Sequence, residues 1–480
     1  MPKTPSAGGP LGRRLSRPVF AQPEPTPDPT TFQIKHASDA ASYHAIDQLN
    51  AAHQLYATKF PHPRATGTGN AGEPVLTLSD VLAGNTQALA NIKNQIVFHS
   101  CGDCGSTRGP KSQNEVTDKM LADFKEANQS EIPQFNFLLG DVVYSFGEIE
   151  YYYDQFYEPY REYPAPILAA AGNHDGMVPP EAAVPSLRGY LRNFCQEDFV
   201  VLPEAGGLSR TAQIQPGVYF TFEAPFVRII ALYSNTLEDP GVIADPTPGT
   251  KIGVSQLTFL KAALSRAKAD AESGRFRGAV LLAHHHPPFS TGSRHGWSVQ
   301  MQKQIDEVCR QVGFWPHADL AGHAHNYQRF TRIRSINVGG ETIADAQIPY
   351  VVCGNGGHAL QALRGQDGAA LRAPQIVQTA AQGKASNSVA GEVVLENYDD
   401  MDYGYLRIVV DAQQLRIEYH PASDGKSAKA PDDSVTVDLA TRKLVHYKAP
   451  NLGEPREATQ VHKKRTRYPG LPASSRRSKR

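Results

Sequence analysis

The sequence lacks three features that would assign it to a protein class at once. No apolar run approaches the roughly 18 residues that a membrane-spanning helix needs. The formal net charge is +0 over 480 residues, so the chain as a whole has no electrostatic bias toward nucleic acid or an anionic membrane. Five cysteines are too few, and odd in number, for a disulfide-stapled scaffold. The 40% of hydrophobic residues is enough for one large core or two ordinary ones.

The N-terminal segment also lacks a complete export signal. GRRLSRPVFAQP (Gly12 to Pro23) contains a twin arginine, but a signal peptide needs an apolar stretch of about 7–15 residues as well. Ser16, Arg17 and Pro18 interrupt the apolar residues that follow the arginines. We therefore expect no cleavable signal, no membrane partner and, by default, a cytoplasmic location, with secretion left open.

Composition divides the chain into four predicted segments. Residues 1–31 are rich in Pro, Gly, Thr and Ser and are predicted to be disordered. Residues 32–90 form a predicted, partly helical extension, and SDVLAGNTQALANIK (Ser79 to Lys93) is typical of a capped helix. Residues 91–447 form the main predicted folded domain. Residues 448–480 are strongly basic and form either a disordered tail, which we favour, or an arm that binds nucleic acid or another polyanion.

From about Ile96 onward, short apolar runs alternate with helical stretches. Runs such as IVFHS, FNFLLG and GAVLLA are typical of buried strands, whereas VTDKMLADFKEA and VSQLTFLKAALSRAKADAE are typical of helices. This alternation predicts an α/β domain with largely parallel strands. Ligands bind such sheets beyond the carboxyl ends of the strands, so we expect five strand ends to converge on one site.

Each of these five predicted strand ends carries Asp, Asn or His. The five motifs are Gly102-Asp103-Cys104-Gly105, Gly140-Asp141-Val142-Val143-Tyr144, Gly172-Asn173-His174-Asp175, His284-His285-His286-Pro287-Pro288 and Gly322-His323-Ala324-His325. Oxygen and imidazole donors in this number suit transition metals. One ion would leave donors unused, whereas two ions about 3.5–4 Å apart, bridged by a shared carboxylate, use them all.

Cys101 and Cys104 raise an alternative, because a Cys-x-x-Cys pair can bind zinc or carry out redox chemistry. A structural zinc site needs four clustered nitrogen or sulfur ligands, and the other three cysteines are isolated in sequence. A thioredoxin-like pair opens a helix, whereas this pair flanks the turn that carries Asp103. We therefore interpret both cysteines as packing residues and Asp103 as the functional residue.

The ordered set of motifs resembles the calcineurin-like metallophosphoesterase superfamily, and within it the purple acid phosphatases, over roughly Ile96 to His420. Most of the superfamily has Asp-x-His in the first motif, but here Gly105 stands two residues after Asp103. Purple acid phosphatases share Gly-Asp-x-Gly and take a tyrosine from Gly-Asp-x-x-Tyr instead, which matches Tyr144. The resemblance implies an α/β fold, an αββα sandwich of two mixed sheets with flanking helices.

The resemblance also implies two metal ions and their ligands. The first ion, expected to be iron, would bind Asp103, Asp141, Tyr144 and His325. The second ion, zinc, manganese or iron, would bind Asp141, Asn173, His323 and one histidine of the 284–286 run. His285 fits the His-x-Pro pattern of the family, and His284 is the competing choice. Tyr144 could instead be a packing residue in a tyrosine-rich stretch.

Two further histidines are implied to contact the substrate. His174 would bind the phosphate or protonate the leaving group, and His295 in the loop STGSRHG would assist it or lie on a surface loop. The implied reaction is hydrolysis of small-molecule phosphate monoesters by attack of a metal-bound hydroxide on phosphorus. The alternatives are a manganese- or zinc-dependent phosphodiesterase or nucleotidase of the same superfamily and, less favoured, a non-catalytic binding scaffold.

Overall fold

The computed structural model describes residues 12–22, 24, 26, 62–66, 69, 72–126, 128–178, 184–245, 253–292, 295–365, 368–385, 388–422 and 431–447. The predicted basic tail, most of the predicted disordered segment and much of the predicted helical extension lie outside these residues. In the described part, two large mixed sheets are flanked by helices, so the expected αββα fold class is confirmed.

The strands form two large sheets and one small ribbon, here numbered in chain order. The ribbon pairs β1 (Arg13–Arg14) with β6 (Val200–Val201). The larger sheet contains β2 (Val75–Thr77), β7 (Phe220–Ala224), β8 (Val227–Ala231), β9 (Ala279–Ala283), β10 (Ala318–Ala321), β11 (Tyr327–Val338), β12 (Glu341–Cys353), β13 (Gln375–Gln378) and β14 (Glu392–Asp399). The smaller sheet contains β3 (Gln95–Cys101), β4 (Asn136–Leu139), β5 (Ile167–Ala170), β15 (Gly404–Asp411), β16 (Gln414–Pro421), β17 (Asp433–Asp438) and β18 (Lys443–Leu444).

Both sheets combine a block of parallel strands with antiparallel pairs. The larger sheet has the order β13-β14-β11-β12-β10-β9-β8-β7-β2, and β8, β9, β10 and β12 run parallel. The smaller sheet has the order β18-β17-β16-β15-β3-β4-β5, and β3, β4 and β5 run parallel. The prediction of largely parallel strands was therefore too broad, because the late strands pair as antiparallel hairpins. The five motif-bearing strands are nevertheless all parallel to a neighbour.

Seven α-helices belong to the described residues. They are α1 (Leu78–Val81), α2 (Thr86–Ala90), α3 (Lys111–Ala122), α4 (Asn173–Gly176), α5 (Arg188–Phe194), α6 (Ser255–Glu272) and α7 (Val299–Val312). α6 packs on α7, and α3 packs against β15. None of these helices combines the length and apolar character that crossing a bilayer requires.

The predicted helix over Ser79–Lys93 is wrong, because the structure splits it into α1 and α2. Thr77 caps α1, and Asn85 caps α2 through its side chain. Between them Ala83 and Gly84 have φ of 51° and 68°, the left-handed conformation that ends a helix. The helix predicted over Val254–Glu272 is confirmed as α6, which begins one residue later.

The two sheets pack face to face across one apolar core. Phe135 and Phe137, at the start of β4 and within it, meet Phe222 and Phe220 of β7, with ring centroids 4.9 Å and 6.4 Å apart. Aromatic contacts of this kind hold one sheet against the other through buried area. The packing fixes the carboxyl ends of both sets of parallel strands at one edge of the sandwich.

Candidate metal centre

The loops after five strands bring the predicted ligands into one cluster. β3 leads to Asp103, β4 to Asp141 and Tyr144, β5 to Asn173 and His174, β9 to His285, and β10 to His323 and His325. All eight side chains are buried. Three of these strands belong to the smaller sheet and two to the larger, so the cluster lies where the two carboxyl edges meet.

Three of the predicted ligands stand on left-handed backbone. Asp103, Asp141 and His323 have φ of 55°, 55° and 69°, and each directly follows a glycine. A non-glycine residue held in this region costs on the order of 1–3 kcal/mol, and such strain is frequent at functional sites. The strain therefore coincides with the residues that the motifs single out.

Two glycines beside the ligands leave no room for a side chain. A Cβ added at Gly172 would lie 2.0 Å from Oδ1 of Asp141, and one added at Gly322 would lie 2.7 Å from Oδ2 of Asp103. Both glycines are needed because the carboxylates approach the backbone so closely.

Asp103, Tyr144 and His325 lie together, as predicted for the first ion. The hydroxyl of Tyr144 donates to Oδ1 of Asp103 at 2.9 Å and lies 3.3 Å from Nε2 of His325. Nε2 of His325 is 3.4 Å from the same carboxylate oxygen. Burial and then the charges of Asp103 and Asp141 raise the pKa of Tyr144 well above its ordinary value, so without metal the phenol keeps its proton.

Gly105 and Tyr144 are sterically linked. A Cβ added at Gly105 would lie 2.9 Å from Cδ2 of Tyr144 and 2.5 Å from Oε1 of Gln155. Gln155 fixes the backbone of Tyr144 on both sides, since its Oε1 accepts from the Tyr144 N–H at 2.9 Å and its Nε2 donates to the Tyr144 carbonyl at 2.7 Å. A residue with a side chain at position 105 would therefore prevent Tyr144 from taking its observed position.

Asp141 lies between the two predicted ligand sets. Its Oδ1 accepts from the backbone N–H of His174 at 2.9 Å, and its Oδ2 lies 3.1 Å from Nε2 of His285. Burial alone would raise the pKa of Asp141, but His285 and His174 lower it below its ordinary value. Burial likewise would lower the pKa of His285, but the charges of Asp141 and Asp103 raise it to about 10. Without metal, His285 therefore keeps a proton, and a metal ion would have to displace that proton to bind this histidine.

Asn173 and His323 complete the second set. Among the described residues, Oδ1 of Asn173 is buried without a hydrogen-bond partner. Nδ1 of His323 lies 3.2 Å from Nε2 of His285. Buried polar groups are almost always satisfied, so the orphaned amide oxygen of Asn173 indicates a site built for a bound ion.

The histidine run at 284–286 places one ring in the cluster. Nδ1 of His285 bonds the Leu139 carbonyl at 2.7 Å, which leaves its Nε2 facing Asp141. Both ring nitrogens of His284 have other partners, the His286 carbonyl at 2.9 Å and Oδ2 of Asp319 at 3.1 Å. Both nitrogens of His286 are also occupied. The geometry therefore favours His285 over His284 as the ligand.

His174 and His295 lie at the edge of the cluster. Nδ1 of His174 bonds the Ser145 carbonyl at 2.8 Å, and its Nε2 is 3.9 Å from Oδ2 of Asp141. His295 is buried rather than on the surface, with its ring centroid 4.2 Å from that of His323. Its Nε2 lies 2.9 Å from the amide nitrogen of Gln361. Both positions suit contact with a bound substrate.

Asp175 organises the turn, although the sequence reasoning assigned it no role. Its carboxylate accepts from the backbone N–H groups of Asp141, Val142 and Gly172 at 2.9, 3.1 and 2.8 Å. Burial and then the charge of Asp141 raise the pKa of Asp175 to about 7. Its place inside the quoted Asn-His-Asp motif was the signal that could have identified it.

Glu238 and Asp239 are two further carboxylates that the sequence reasoning missed. They follow β8 and lie next to the second ligand set, where Asp239, His295 and His323 offer donor atoms within 4.8 Å of one another. Asp103, Asp141 and His285 form a second group of this kind. Neither group coincides with one predicted ligand set, since the first contains Asp239 and His295 and the second draws on both sets. Both groups consist of the oxygen and imidazole donors that suit transition-metal ions.

Cys101 and Cys104 do not take part in either donor group. Burial raises the pKa of the Cys101 thiol to about 12, and Cys101 packs 3.9 Å from the Tyr160 hydroxyl. A thiol with so high a pKa is a poor metal ligand and a poor nucleophile. The interpretation of both cysteines as packing residues agrees with this geometry.

Cavity size does not locate this site. A cavity of about 810 Å³ lies elsewhere, along α5, and is lined by residues such as Arg14, Arg64, Arg188 and Arg192. None of the predicted ligands lines it. The cluster is identified by its donor atoms instead.

A comparison with known protein families agrees with the superfamily that the motifs resemble. Residues 96–327 match the family model for calcineurin-like phosphoesterases. The matched range spans β3 to the start of β11 and includes every residue of both ligand sets. Together with the clustered donor groups, this match supports a metal-dependent phosphoesterase. No curated protein sequence matches the chain.

Several solved structures resemble the chain only distantly. GAP50, the anchor in the inner membrane complex of Plasmodium, is 14% identical, with 73% of this chain and 91% of that chain covered and a TM-score of 0.45. PhoD is 13% identical, with 75% and 72% covered and a TM-score of 0.40. A conserved uncharacterized protein from Streptococcus pneumoniae is 9% identical, with 72% and 99% covered and a TM-score of 0.25. Similarities this low carry no argument about function.

Proposed function

We propose that the chain is a dinuclear-metal phosphoesterase of the purple acid phosphatase type that hydrolyses small-molecule phosphate monoesters. Asp103, Asp141, Tyr144 and His325 would hold the first ion, expected to be iron. Asp141, Asn173, His285 and His323 would hold the second ion, expected to be zinc, manganese or iron.

The contact of Tyr144 with Asp103 and His325 carries the proposal. The phenol oxygen reaches two of the three other predicted ligands of the first ion, Asp103 and His325, at 2.9 and 3.3 Å. It does so beside Gly105, where a side chain would collide with the tyrosine ring. A hard anionic phenolate favours a ferric ion, so this contact supports the iron assignment.

The metal ions would supply a coordinated water of lowered pKa and would offset charge on the phosphoryl oxygens. The protein residues around them would orient the substrate and move a proton. The bond from Nδ1 of His174 to the Ser145 carbonyl leaves Nε2 on the side of Asp141, where it can donate a proton to the leaving group. His295, held by Gln361, would contact the phosphate from the opposite loop.

Elemental analysis and a visible spectrum of the same freshly purified sample test the proposal. We expect iron with a broad visible absorption, which Tyr144→Phe should abolish because the phenolate ligand is removed. Tyr152→Phe is the matched control, since Tyr152 is a buried tyrosine of the same stretch whose hydroxyl has no partner among the described residues.

A colourless protein with two manganese or zinc ions would overturn the iron assignment. Tyr144 would then be the protonated hydrogen-bond donor that the metal-free geometry already contains. The phosphodiesterase or nucleotidase alternative would take precedence, with diesters and nucleotides as the first substrates to assay.

A further inference from the structure

The loop after β8 places two adjacent carboxylates against the second ligand set. Oε2 of Glu238 accepts from Nδ2 of Asn173 at 3.3 Å, and Oδ1 of Asp239 lies 3.7 Å from Nε2 of His323. Each carboxylate therefore contacts the side-chain nitrogen that faces away from the predicted ion, Nδ2 of Asn173 or Nε2 of His323.

The contact from Glu238 decides which end of the Asn173 amide faces the cluster. The carboxylate accepts only from the amide nitrogen, so the carbonyl oxygen Oδ1 points the other way. That oxygen is buried and has no hydrogen-bond partner among the described residues. An amide oxygen is the atom that can bind a metal ion, so Glu238 holds Asn173 in the binding orientation.

The contact from Asp239 has the same effect on His323. Nδ1 of His323 lies 3.2 Å from Nε2 of His285, which makes Nδ1 the nitrogen directed at the shared ligand position. Its other nitrogen, Nε2, must then carry the proton, and in the described structure it is buried without a partner. Asp239 is the carboxylate that faces it. A carboxylate behind a metal-bound imidazole fixes its tautomer and ring orientation.

The charge of the loop also suits the second ion. The predicted ligands of that ion include one shared carboxylate, Asp141, and otherwise a neutral amide and two imidazoles. Glu238 and Asp239 would add negative charge beside this weakly charged set. Both are only partly buried, with side chains 26% and 36% exposed, and both also face Nδ1 of His295 at 3.7 and 3.9 Å.

We propose that Glu238 and Asp239 are positioning residues that orient Asn173 and His323 and thereby set the affinity of the second metal site. The inference rests on the proposed dinuclear function. It places the control of second-metal binding in the loop after β8, which the five ligand motifs do not include.

Titration of the metal-free protein with Co²⁺ tests this inference. Equilibrium dialysis counts the ions per chain, and the visible d–d absorption reports the geometry of each site. In Glu238→Ala and Asp239→Ala we expect the second ion to bind about 10- to 100-fold more weakly, with binding of the first ion unchanged. Glu341→Ala, exposed at the start of β12, is the control and should bind both ions normally.

The conservative variants separate positioning from a general structural role. Glu238→Gln and Asp239→Asn keep an oxygen that can accept from Asn173 or His323, so they should recover much of the affinity that the alanine variants lose. Second-ion affinity within threefold of wild type in both alanine variants would overturn the inference while leaving the dinuclear proposal intact. A wild-type protein that binds fewer than two ions would overturn both.

Discussion

At the scale of single residues, one hydrogen bond to the backbone orients three histidines of the cluster. Nδ1 of His174, His285 and His325 bonds a main-chain carbonyl, at 2.8, 2.7 and 3.0 Å. The other nitrogen, Nε2, therefore faces the cluster in all three rings. His284 differs, because both of its ring nitrogens have partners outside the cluster and neither is left to face the candidate ligands.

His174→Ala is expected to keep both metals and to lower kcat by about 10²- to 10⁴-fold, the range of a lost general acid. The reason is that His174 touches Asp141 through its backbone N–H, which the substitution preserves. Metal analysis together with hydrolysis of p-nitrophenyl phosphate checks this, with the exposed His446→Ala as control. Loss of a metal in His174→Ala would show that His174 is a ligand.

The clustering of the candidate ligands could be predicted from the sequence, but the residues that support them could not. Asp103, Asp141 and His325 stand in short motifs at strand ends, where the residue type and its place in the motif both indicate a candidate ligand. Glu238 acts on Asn173 across 65 positions of sequence, so only folding brings the two together. Gln155, which fixes Tyr144, lies inside a tyrosine-rich stretch where no local pattern distinguishes it.

At the scale of elements, the turn between β5 and α4 determines how closely two loops approach. A Cβ at Gly172 would lie 2.0 Å from Oδ1 and 2.4 Å from the backbone N of Asp141. Such contacts are shorter than any real packing distance, so one of the two loops would have to move. The position of Asp141 between the two predicted ligand sets therefore depends on a glycine in another loop.

Gly172→Ala is expected to weaken metal binding at least tenfold and to destabilise the fold by about 1–3 kcal/mol, as overpacking does. Metal titration and urea unfolding measure the two effects. Gly296→Ala is the control, because a Cβ there meets no atom within 4 Å. Wild-type metal affinity in Gly172→Ala would contradict the role given to this turn.

The motif-bearing strands were easier to predict than the late strands. β3, β4, β5, β9 and β10 are short buried apolar runs that lead into glycine or, after β9, into histidine, which is a strong local signal. The late strands pair as antiparallel hairpins whose partners periodicity does not identify. The division between α1 and α2 depends on the left-handed backbone at Ala83, which helical spacing does not indicate.

At the scale of the whole molecule, segments from the predicted N-terminal regions join the main fold. Val75–Thr77 adds an edge strand to the larger sheet by pairing with β7, and Arg13–Arg14 pairs with β6. The boundaries proposed from composition, 31, 90 and 447, remain predictions.

Acid stability depends on charge pairs in the smaller sheet. Burial alone would raise the pKa of Glu418, but His420, Arg407 and Arg416 lower it to about 2. A carboxyl whose pKa is lowered by folding stabilises the protein above its unfolded value of 4.5, and this contribution disappears as the pH falls toward 2.

Glu418→Gln should therefore cost about 3 kcal/mol of unfolding free energy at pH 7. The difference from wild type should shrink as the pH falls from 4.5 toward 2. Urea unfolding at several pH values measures it, with Glu341→Gln as the exposed control. A difference that stays constant with pH would show that the pairing of Glu418 does not shift its titration.

The most direct test of a dinuclear phosphoesterase counts metals and turnover in the same samples of wild type and Asp141→Asn. We predict two ions per chain and hydrolysis of p-nitrophenyl phosphate in the wild type. In Asp141→Asn we predict loss of metal and of turnover, because the shared carboxylate is removed from both ligand sets. Full metal content and full turnover in Asp141→Asn, or a wild type that binds two ions without hydrolysing any phosphate ester, would contradict the account.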